Sequence, residues 1–551
     1  MSKHPDSFAE WQNYPSTLDP IHVAWLKKAK TSKTAFAVAD IEGIEISHKK
    51  FLTGVLLFSK KIASYSPEQN IGLLLPSSGG GAIASMAILS LGKTLVNLNF
   101  TSGKKALQSA AKQAEVKTIY TSRKFLDKMS EKGTELESFF PNSKLLMLED
   151  IKAEISMFAR LATLLKSIFM PVRMIQKNYF NKVSMNDTAA ILFSSGSEGS
   201  PKGVELSHSN IVANARQAAI EMEAVPTDVI MSTLPTFHAF GFAITTLMPL
   251  SEGIPIVCHP DPKDVATIAT GIKKYSGTIL VGTPTFLRMY TISKKVSADS
   301  LSSLRLVVAG AEKLRPDVID GFKSKFNMPV WEGYGTTETS PGASANLPDL
   351  KANDVRSFRL RNRPGTVGKP FMGTDIRIVD PDSLDPLATG EDGLILIGGP
   401  QVMKGYLKMP EKTAEVITII DGYRFYRTGD KGHLDKDGFL TIVDRYSRFA
   451  KIGGEMLSLT TIEDEILDAC KNVDLEVAAT CLPDQRKGEK IVLLSTIEIT
   501  KEELKALLVK AKVNPLHHPS SILVVNEIPK LGSGKTDFGA TKNIALVNDQ
   551  K

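Results

Sequence analysis

The stretch Thr188-Ala-Ala-Ile-Leu-Phe-Ser-Ser-Gly-Ser-Glu-Gly-Ser-Pro-Lys-Gly203 carries the strongest signal for the fold. A short apolar run, typical of a buried strand, passes directly into a loop rich in serine and glycine, and a helical pattern follows from Ser209. The glycines free the backbone to fold around an anion, which backbone N–H groups, hydroxyls and Lys202 can hold. Taken alone, such a loop is more often a flexible surface loop, so its meaning depends on the rest of the chain.

Strand-like runs alternate with stretches of helical length from about residue 30 to residue 340. This order predicts mostly parallel sheets with helices on both faces. Ligands of such sheets bind at the carboxyl ends of the strands, which directs attention to the residues that follow each run. The runs are IGLLLP (71–76), TAAILF (188–193), VIMSTLP (229–235), GIPIVCH (253–259), TILVG (278–282), LRLVVAG (304–310) and PVWEGYG (329–335).

The pattern changes from about residue 362 to residue 443. Short runs (DIRIVD, GLILIGG and GFLTIVD) are separated by Gly/Asp turns with little helix, which indicates an antiparallel β unit. After Arg445 the chain mixes helix and strand, as expected of a separate small domain. We therefore predict a large domain over 1–444, containing the β-rich part at about 362–443, and a small domain over 445–551.

Composition excludes several classes of protein. Hydrophobic residues make up 42% of the 551 residues and charged residues 23%, which is an ordinary globular composition. The net charge of +7 is mild and the bases are not clustered as in a nucleic-acid-binding protein. Three cysteines without a CxxC pair exclude a disulfide scaffold and a cysteine zinc site, and fit a reducing cytoplasm. We expect no signal peptide, because the N-terminus is polar, and no membrane span, because the longest apolar stretch is too short for one.

Three further segments carry side chains suited to nucleotide chemistry. Glu332-Gly-Tyr-Gly-Thr-Thr-Glu338 presents hydroxyls for a phosphate, a flat ring for a base, and in Glu338 a hard oxygen ligand for Mg²⁺. In Tyr426-Arg-Thr-Gly-Asp430 the aspartate can accept hydrogen bonds from ribose hydroxyls. Gly532-Ser-Gly-Lys-Thr-Asp537 carries Lys535 on a loop near the C-terminus. It is not a classical P-loop, because Pro529 stands where the first glycine should be.

The segment 155–186 contains five bases and no acid. Its apolar residues recur at helical spacing, and Pro171 should interrupt or kink the helix. A basic polar face opposite Phe, Leu, Ile and Met is the composition of an interfacial membrane helix. The alternative is a helix packed on the core with solvated lysines. The apolar positions are Phe158, Leu161, Leu165, Ile168, Val172 and Ile175.

Four motifs together resemble the adenylate-forming superfamily of acyl-CoA synthetases, luciferases and nonribosomal adenylation domains: the Ser/Gly loop and the segments 332–338, 426–430 and 532–537. They occur in the family's order and spacing, and the resemblance covers almost the whole chain. Further segments are similar to the bacterial acyl-acyl-carrier-protein synthetases, including the synthetase half of 2-acylglycerophosphoethanolamine acyltransferase/acyl-ACP synthetase. They are NFTSG (99–103) with TIYTSRKFLDK (118–128), VVAGAEKL (307–314), RFAKIGGEMLSL (448–459) and IPKLGSGKTDF (528–538).

The resemblance implies an α/β fold with two parallel-sheet subdomains and a β-barrel-like subdomain, followed by a small, mobile α+β domain. It also implies ATP and Mg²⁺ as cofactors and a set of nucleotide-binding residues. Glu338 would bind the metal, Thr337 the α-phosphate, and Asp430 and Arg445 the ribose or phosphate. The remaining positions are the phosphate loop (Ser194, Ser195, Gly196, Ser197, Glu198, Gly199, Lys202) and the surroundings of the adenine (Gly310, Ala311, Glu332, Gly333, Tyr334, Gly335, Thr336).

For catalysis, the resemblance implies that Lys535 bridges the carboxylate and the α-phosphate and that His238 lies near the acyl carboxylate. Arg448 would be the hinge of the mobile domain, and Lys451 and Gly453 would face the thiol tunnel. Four apolar residues would line an acyl channel or belong to the core: Phe237, Phe240, Phe242 and Leu247.

The implied reaction joins a long-chain fatty acid to the phosphopantetheine thiol of acyl carrier protein. The nearest alternative is a long-chain acyl-CoA synthetase, because coenzyme A carries the same thiol. A third reading is a non-catalytic, membrane-bound scaffold that binds lipid or carrier protein. We expect a cytoplasmic location, with or without peripheral contact of 155–186 to the anionic inner face of the cell membrane, and no nucleic-acid partner.

Overall fold

The computed structural model describes residues 7–194, 201–349, 360–452, 455–471, 475–484, 488–532 and 534–549. Short 3₁₀ helices and a π-helix over Phe240–Leu247 interrupt the loops between the regular elements. The α-helices are α1 Phe8–Asn13, α2 Ile21–Thr31, α3 His48–Tyr65, α4 Gly79–Ser90, α5 Lys104–Gln113, α6 Arg123–Glu131, α7 Leu148–Ala153, α8 Met157–Phe169, α9 Val172–Tyr179, α10 His208–Glu221, α11 Met248–Glu252, α12 Val265–Tyr275, α13 Pro284–Ile292, α14 Pro316–Phe326, α15 Pro410–Val416, α16 Leu459–Cys470, α17 Lys501–Lys510 and α18 Phe538–Asp549.

The strands follow the same chain order. They are β1 Val38–Asp40, β2 Glu45–Ile46, β3 Asn70–Leu73, β4 Thr94–Asn97, β5 Thr118–Thr121, β6 Lys144–Met147, β7 Thr188–Ser194, β8 Lys202–Ser207, β9 Ile230–Ser232, β10 Ile256–Cys258, β11 Ile279–Gly282, β12 Leu306–Gly310, β13 Trp331–Gly335, β14 Gly342–Ala345, β15 Lys369–Pro370, β16 Asp375–Val379, β17 Gly393–Gly398, β18 Gly405–Tyr406, β19 Ile417–Ile420, β20 Tyr423–Leu434, β21 Leu440–Arg445, β22 Phe449–Ile452, β23 Glu455–Ser458, β24 Val477–Asp484, β25 Gly488–Ser495 and β26 Ser521–Val524.

The chain divides into two compact units. Unit 1 comprises Met1–Ile376, Leu396–Arg427 and Gly438–Leu440, and unit 2 comprises Arg377–Ile395, Thr428–Asp437 and Thr441–Lys551. The predicted boundary between residues 444 and 445 stays a prediction.

Unit 1 contains a nine-stranded sheet in the order β15-β14-β13-β12-β11-β9-β10-β1-β2. The run from β13 to β1 is parallel throughout, and only the outer pairs are antiparallel. Along β12, Leu306 and Val308 belong to the larger hydrophobic core, whereas Val307 and Ala309 belong to a second core that α12, α13 and α14 complete. Because successive side chains of a strand point to opposite faces, both faces of this sheet are covered, as predicted.

A second sheet of unit 1 has the order β18-β8-β7-β4-β3-β5-β6. Strands β7, β4, β3, β5 and β6 are parallel, and β8 returns antiparallel to β7. The predicted mostly parallel architecture is therefore confirmed. The helix predicted from Ser209 is confirmed as α10, and the sequence analysis did not predict β8 (residues 202–207), which lies between the loop and this helix.

Strands β16, β17 and β21 coincide with the predicted runs DIRIVD, GLILIGG and GFLTIVD and belong to a further five-stranded sheet. Unit 2 ends in a mixed sheet, β23-β22-β25-β24, with β26 parallel to β25. Alternate residues of β25 pack on its two sides, Ile491 and Leu493 in one core, Val492 and Leu494 in another. The predicted α/β fold, with a smaller α+β domain at the C-terminal end, is confirmed.

The amphipathic segment 155–186 forms two helices, α8 and α9, and Pro171 is the N-cap residue of α9. The predicted interruption at Pro171 is thus confirmed. Within the described ranges, no helix is both long enough and apolar enough to cross a bilayer.

Candidate functional site

The carboxyl ends of β12 and β13 form the floor of the first cluster of predicted site residues. The two strands are parallel neighbours, with Gly310 opposite Gly333. Ala311, directly after β12, has φ +74°, a conformation that a residue with a side chain rarely adopts. Such backbone strain is commonly kept where it positions a ligand-binding segment.

Gly335 ends β13 at a point where only glycine fits. A Cβ built there would lie 1.8 Å from the carbonyl oxygen of Pro341. The close approach of the two backbones allows the Thr336 amide to donate to that same oxygen at 3.0 Å. The chain therefore turns sharply after Tyr334, which is partly buried.

A single 3₁₀ turn, Thr337–Thr339, follows the glycine. The Thr336 amide donates to Thr339 Oγ1 at 3.1 Å, and the Thr339 hydroxyl donates to the Pro341 carbonyl at 2.6 Å. These hydrogen bonds hold the turn from both ends, which fixes where Thr337 and Glu338 project.

Glu338 is a buried carboxylate with a defined partner. Its side chain is 8% exposed, and Tyr406 Oη donates to its Oε1 at 2.9 Å. The Met403 amide donates to the Glu338 carbonyl at 2.8 Å. Burial and, second, the charge of Glu338 raise the pKa of Tyr406, so the phenol keeps its proton and remains a donor.

Lys202 is the first residue of β8, paired in register with Ser194. Its Nζ lies 5.6 Å from the centroid of the Tyr406 ring. Tyr406 therefore contacts both a predicted phosphate-binding lysine and the predicted metal-binding carboxylate, so the structure brings these two predictions together. The loop residues Ser195, Gly196, Ser197, Glu198 and Gly199 lie outside the described residues.

Glu332 has a different surrounding from Glu338. Burial raises its pKa to about 7, while a hydrogen bond from the Leu314 amide (2.9 Å) opposes the shift. This carboxyl group thus anchors the segment after Ala311 to β13. Its predicted part in nucleotide binding stays a prediction.

His238 lies in the segment that follows β9. Its ring is 4.7 Å from that of Phe237, which meets Phe100 edge-on at 4.8 Å. Two residues further on, Phe240 packs on the end of β12, because a Cβ at Gly310 would lie 2.9 Å from its Cε1. His238 is partly buried in this aromatic segment, next to the carboxyl ends of the sheet.

The π-helix over Phe240–Leu247 follows His238, and π-helical turns are frequent at functional sites. Phe242 is 1% exposed and Leu247 is fully buried, and both belong to the larger core. For these two residues the structure favours the core over an acyl channel. For Phe237, whose ring lies 4.7 Å from that of His238, and for the partly buried Phe240, the acyl channel stays a prediction.

In unit 2, the predicted ribose-binding residues Asp430 and Arg445 are in contact. Arg445 Nε donates to Asp430 Oδ1 at 3.0 Å, and the Asp430 amide donates to Thr428 Oγ1 at 3.0 Å. The Asp430 side chain is 4% exposed, whereas that of Arg445 is 61% exposed. A buried carboxylate thus orients an accessible guanidinium.

The predicted hinge residue Arg448 is buried among three side chains of unit 2. Its Nη2 lies 2.9 Å from Glu463 Oε2, its Nε lies 3.6 Å from Asp444 Oδ1, and its Cζ lies 3.6 Å from the centre of the Phe538 ring. Burial raises the pKa of Glu463, and the Arg448 charge opposes that shift. The guanidinium therefore compensates two buried carboxylates.

Lys451 and Lys535 occupy hydrogen-bonded backbone in unit 2. Lys451 is an exposed residue of β22, and its amide donates to Glu489. Lys535 is partly buried in a narrow turn closed by the Leu531 amide, which donates to the Lys535 carbonyl at 2.7 Å. Gly534, with φ +91°, supplies the left-handed conformation that this turn needs. Gly453 lies outside the described residues.

Two residues at these clusters were missed by the sequence analysis. Tyr406 contacts Glu338 from 68 positions away, and no local pattern signals a pair of that separation. Asp444 accepts hydrogen bonds from Ser458 Oγ (2.6 Å) and the Thr460 amide (3.1 Å) besides its contact with Arg448. A lone aspartate at the end of a strand gives no such indication in the sequence.

The donor set fits a magnesium ion that arrives with a nucleotide. Among the described residues, no group of three or more His, Cys, Asp or Glu side chains could hold a metal without other ligands. Mg²⁺ commonly takes one or two protein carboxylates and completes its shell with phosphate oxygens and water. The solitary buried Glu338 suits that role.

Comparisons with known proteins point to one family. Residues 25–407 match the family model described as AMP-binding enzyme. A long-chain-fatty-acid–CoA ligase of Bacillus subtilis (strain 168) is 30% identical over 358 residues, 64% of this chain and 60% of that protein, so the match spans less than two thirds of the relative. The 4-coumarate–CoA ligase 1 of Petroselinum crispum is 29% identical over 87% of this chain and 86% of its own.

Solved structures share the fold. The ATP-bound MatB from Rhodopseudomonas palustris superposes with a TM-score of 0.77 at 21% identity, over 95% of this chain and 98% of its own. Since the family model covers well over half of the sequence, the chain belongs to the AMP-binding enzyme family.

Proposed function

We propose that the protein is an ATP-dependent ligase that activates a long-chain fatty acid as an acyl-adenylate and passes the acyl group to the phosphopantetheine thiol of acyl carrier protein. The observation that carries this proposal is the buried Glu338 carboxylate in the turn after β13, joined to Lys202 through Tyr406. A single carboxylate beside a lysine suits a metal-bound polyphosphate. Membership of the AMP-binding enzyme family supports the same nucleotide.

The proposed reaction has two steps. An oxygen of the fatty carboxylate attacks the α-phosphorus of ATP, the bond to the bridging oxygen breaks, and pyrophosphate leaves. The thiol sulfur then attacks the carbonyl carbon of the acyl-adenylate, loses its proton, and AMP leaves. Because the first step brings several anions together, it requires cations and hydrogen-bond donors placed in advance.

The residues of unit 1 would supply part of that environment. Mg²⁺, when bound, would neutralise phosphate charge and orient the leaving pyrophosphate. Glu338 would hold the metal, Thr337 the α-phosphate, and Lys202 with the loop before it the β- and γ-phosphates. Tyr334 would stack on the adenine beside Gly310 and Ala311, and His238 would position the acyl carboxylate.

The residues of unit 2 would supply the rest. Asp430 would accept hydrogen bonds from the ribose, with Arg445 beside it, and Lys535 would bridge the carboxylate and the α-phosphate. Arg448 would be the hinge between the two steps, at the proposed boundary near residue 444, and Lys451 with Gly453 would line the path of the thiol. The proposed location is cytoplasmic.

Acyl carrier protein as acceptor is supported by the resemblance of four segments, among them 307–314 and 528–538. One observation favours coenzyme A instead, which makes an acyl-CoA ligase the second candidate. The relatives named above are CoA ligases by name, of which one acts on long-chain fatty acids.

The test combines both half-reactions. Exchange of labelled pyrophosphate into ATP should appear only when a long-chain fatty acid is added, and its absence with every fatty acid would leave a non-catalytic, lipid-binding scaffold. Thioester formation should then be compared between purified holo-acyl carrier protein and coenzyme A at equal thiol concentration. Acylation of the carrier protein is expected, whereas acylation of coenzyme A alone would contradict the proposed acceptor.

Tyr406→Phe should weaken adenylation without unfolding the protein. The change leaves Glu338 buried without its phenol donor, which should cost about 1–3 kcal/mol at that carboxylate. We expect the rate of fatty-acid-dependent pyrophosphate exchange to fall about tenfold and the Mg²⁺ concentration for half-maximal rate to change. Titration of Mg²⁺ in the exchange assay measures both effects.

Tyr120→Phe is the matched control for this variant. Tyr120 is also buried and its hydroxyl is hydrogen-bonded to Ser66 Oγ at 2.8 Å, so both variants lose one buried hydrogen bond. Tyr120→Phe should lower stability but leave the Mg²⁺ dependence unchanged. Equal behaviour of the two variants in the exchange assay would remove Tyr406 from the site.

A further inference from the structure

Helices α8 and α9 expose a row of large apolar side chains, which we call the α8–α9 surface. On α8 these residues follow one another at steps of one, three, four and four positions, which places them on one side of the helix. A monomeric protein seldom exposes so many large apolar side chains together unless the patch contacts something. Their exposed fractions are 75% for Met157, 80% for Phe158, 55% for Leu161, 48% for Leu165, 76% for Phe169 and 49% for Met174.

The side of α8 that faces the protein is polar. Its buried residues are Thr163 and Ser167, and the Thr53 hydroxyl donates to Ser167 Oγ at 3.0 Å. Lys30 Nζ donates to the carbonyls of Ser167 and Ile168, both at 2.8 Å, and so satisfies the C-terminal end of the helix. A surface helix normally buries its apolar side, whereas α8 buries its polar side and exposes its apolar side.

The surroundings of this row are basic. Residues 155–186 hold five bases and no acid. Four of the bases, Lys166, Arg173, Lys177 and Lys182, are exposed, and none of the five forms an ion pair with an acid in the part of the chain that the structure describes. Arg160 donates to the Lys152 carbonyl and stays near the start of α8.

We propose that the α8–α9 surface docks onto an anionic phospholipid bilayer, with the apolar row inserted at the level of the headgroups. Apolar Phe, Leu and Met flanked by Lys and Arg have the chemistry of an interfacial helix, and unpaired bases complement anionic headgroups. A second copy of the chain is disfavoured as occupant, because two equal basic faces would repel each other. This docking does not depend on the proposed reaction.

The test uses the full chain and vesicles of two compositions, phosphatidylcholine alone and phosphatidylcholine mixed with phosphatidylglycerol. Sedimentation should show binding to the mixed vesicles, reduced by added salt. Phe158→Glu combined with Leu165→Glu should lower the partition coefficient at least about tenfold. Lys166→Glu combined with Lys177→Glu should lower it by a similar factor, about tenfold, on the anionic vesicles only.

Ile292→Glu is the matched control, since Ile292 is 59% exposed at the end of α13 and is not part of the α8–α9 surface. It should bind vesicles like the unchanged protein, and all variants should keep their circular dichroism. Absence of binding to the mixed vesicles, or binding that the Phe158/Leu165 variant does not reduce, would overturn docking. So would concentration-dependent dimerisation that this variant abolishes, because the occupant would then be a second copy. Pyrophosphate exchange without vesicles should be the same in all of these proteins, which separates docking from the proposed reaction.

Discussion

Lys535→Ala should reduce formation of the acyl-adenylate at least about a hundredfold and leave its reaction with the thiol almost unchanged. The first step collects negative charge at the α-phosphorus, where the proposed Lys535 ammonium would offset it. In the second step AMP leaves as an anion that other groups would bind. Fatty-acid-dependent pyrophosphate exchange measures the first step, and thioester formation from a supplied acyl-adenylate measures the second.

Lys530→Ala is the control for the Lys535 variant. Lys530 belongs to the same turn, but its Nζ lies 2.8 Å from Glu476 Oε2, so its charge is used within the fold. Its replacement should change stability by about 1 kcal/mol or less and leave both steps near normal. If Lys535→Ala impaired both half-reactions equally, the lysine would not be specific to adenylation. If it impaired neither, Lys535 would have no part in the reaction.

Arg448→Met should destabilise unit 2 by about 3–5 kcal/mol. The replacement leaves the buried Glu463 and Asp444 carboxylates without their guanidinium and removes its contact with Phe538. The three tryptophans, Trp11, Trp25 and Trp331, all belong to unit 1, so their fluorescence does not report on this change. Hydrogen exchange of peptides from 455–549 should speed up, while peptides of unit 1 serve as the internal reference.

The destabilisation by Arg448→Met should depend on pH. Burial raises the pKa of Glu463, and loss of the guanidinium should raise it further. In the variant, the ionised Glu463 carboxylate destabilises the fold. This destabilisation is absent below pH 4.5, the ordinary pKa of a glutamate, and it grows as the pH rises from 4.5 to the raised pKa. The deficit should therefore shrink as the pH is lowered from neutral towards that value.

A second substitution checks the assignment to Glu463. Arg448→Met combined with Glu463→Gln removes the uncompensated charge, so the double variant should recover part of the lost stability and most of the pH dependence should disappear. If the single variant exchanged like the unchanged protein at neutral pH, the ion pair would contribute nothing measurable.

Much of the fold could be predicted because its information is local. Runs such as LRLVVAG and TILVG are short, apolar and bounded by turn residues, and each became a strand of the nine-stranded sheet. Strand β8 was missed because Lys202-Gly-Val-Glu-Leu-Ser207 begins with a lysine and a glycine and has only two apolar residues. Its pairing with β7, which makes it a strand, is a tertiary contact.

The candidate sites were predictable only where a motif carried them. Glu338, Asp430 and Lys535 stand in recognisable segments, whereas Tyr406 does not and is identified only by its contact with Glu338. The amphipathic period of α8 was readable, but the period does not reveal which side faces the protein. The burial of Thr163 and Ser167, together with the hydrogen bond from Thr53 to Ser167, shows that the apolar side faces outward.

The space at Gly335 limits how this protein can be redesigned. Since a methyl group there would overlap the Pro341 carbonyl, a library that randomises this codon should return glycine alone. The same turn sets the positions of Thr336, Thr337 and Glu338, so few substitutions should be tolerated there. For the proposed reaction, attempts to alter the acid substrate are better directed at Phe237, whose ring meets the Phe100 ring rather than main chain.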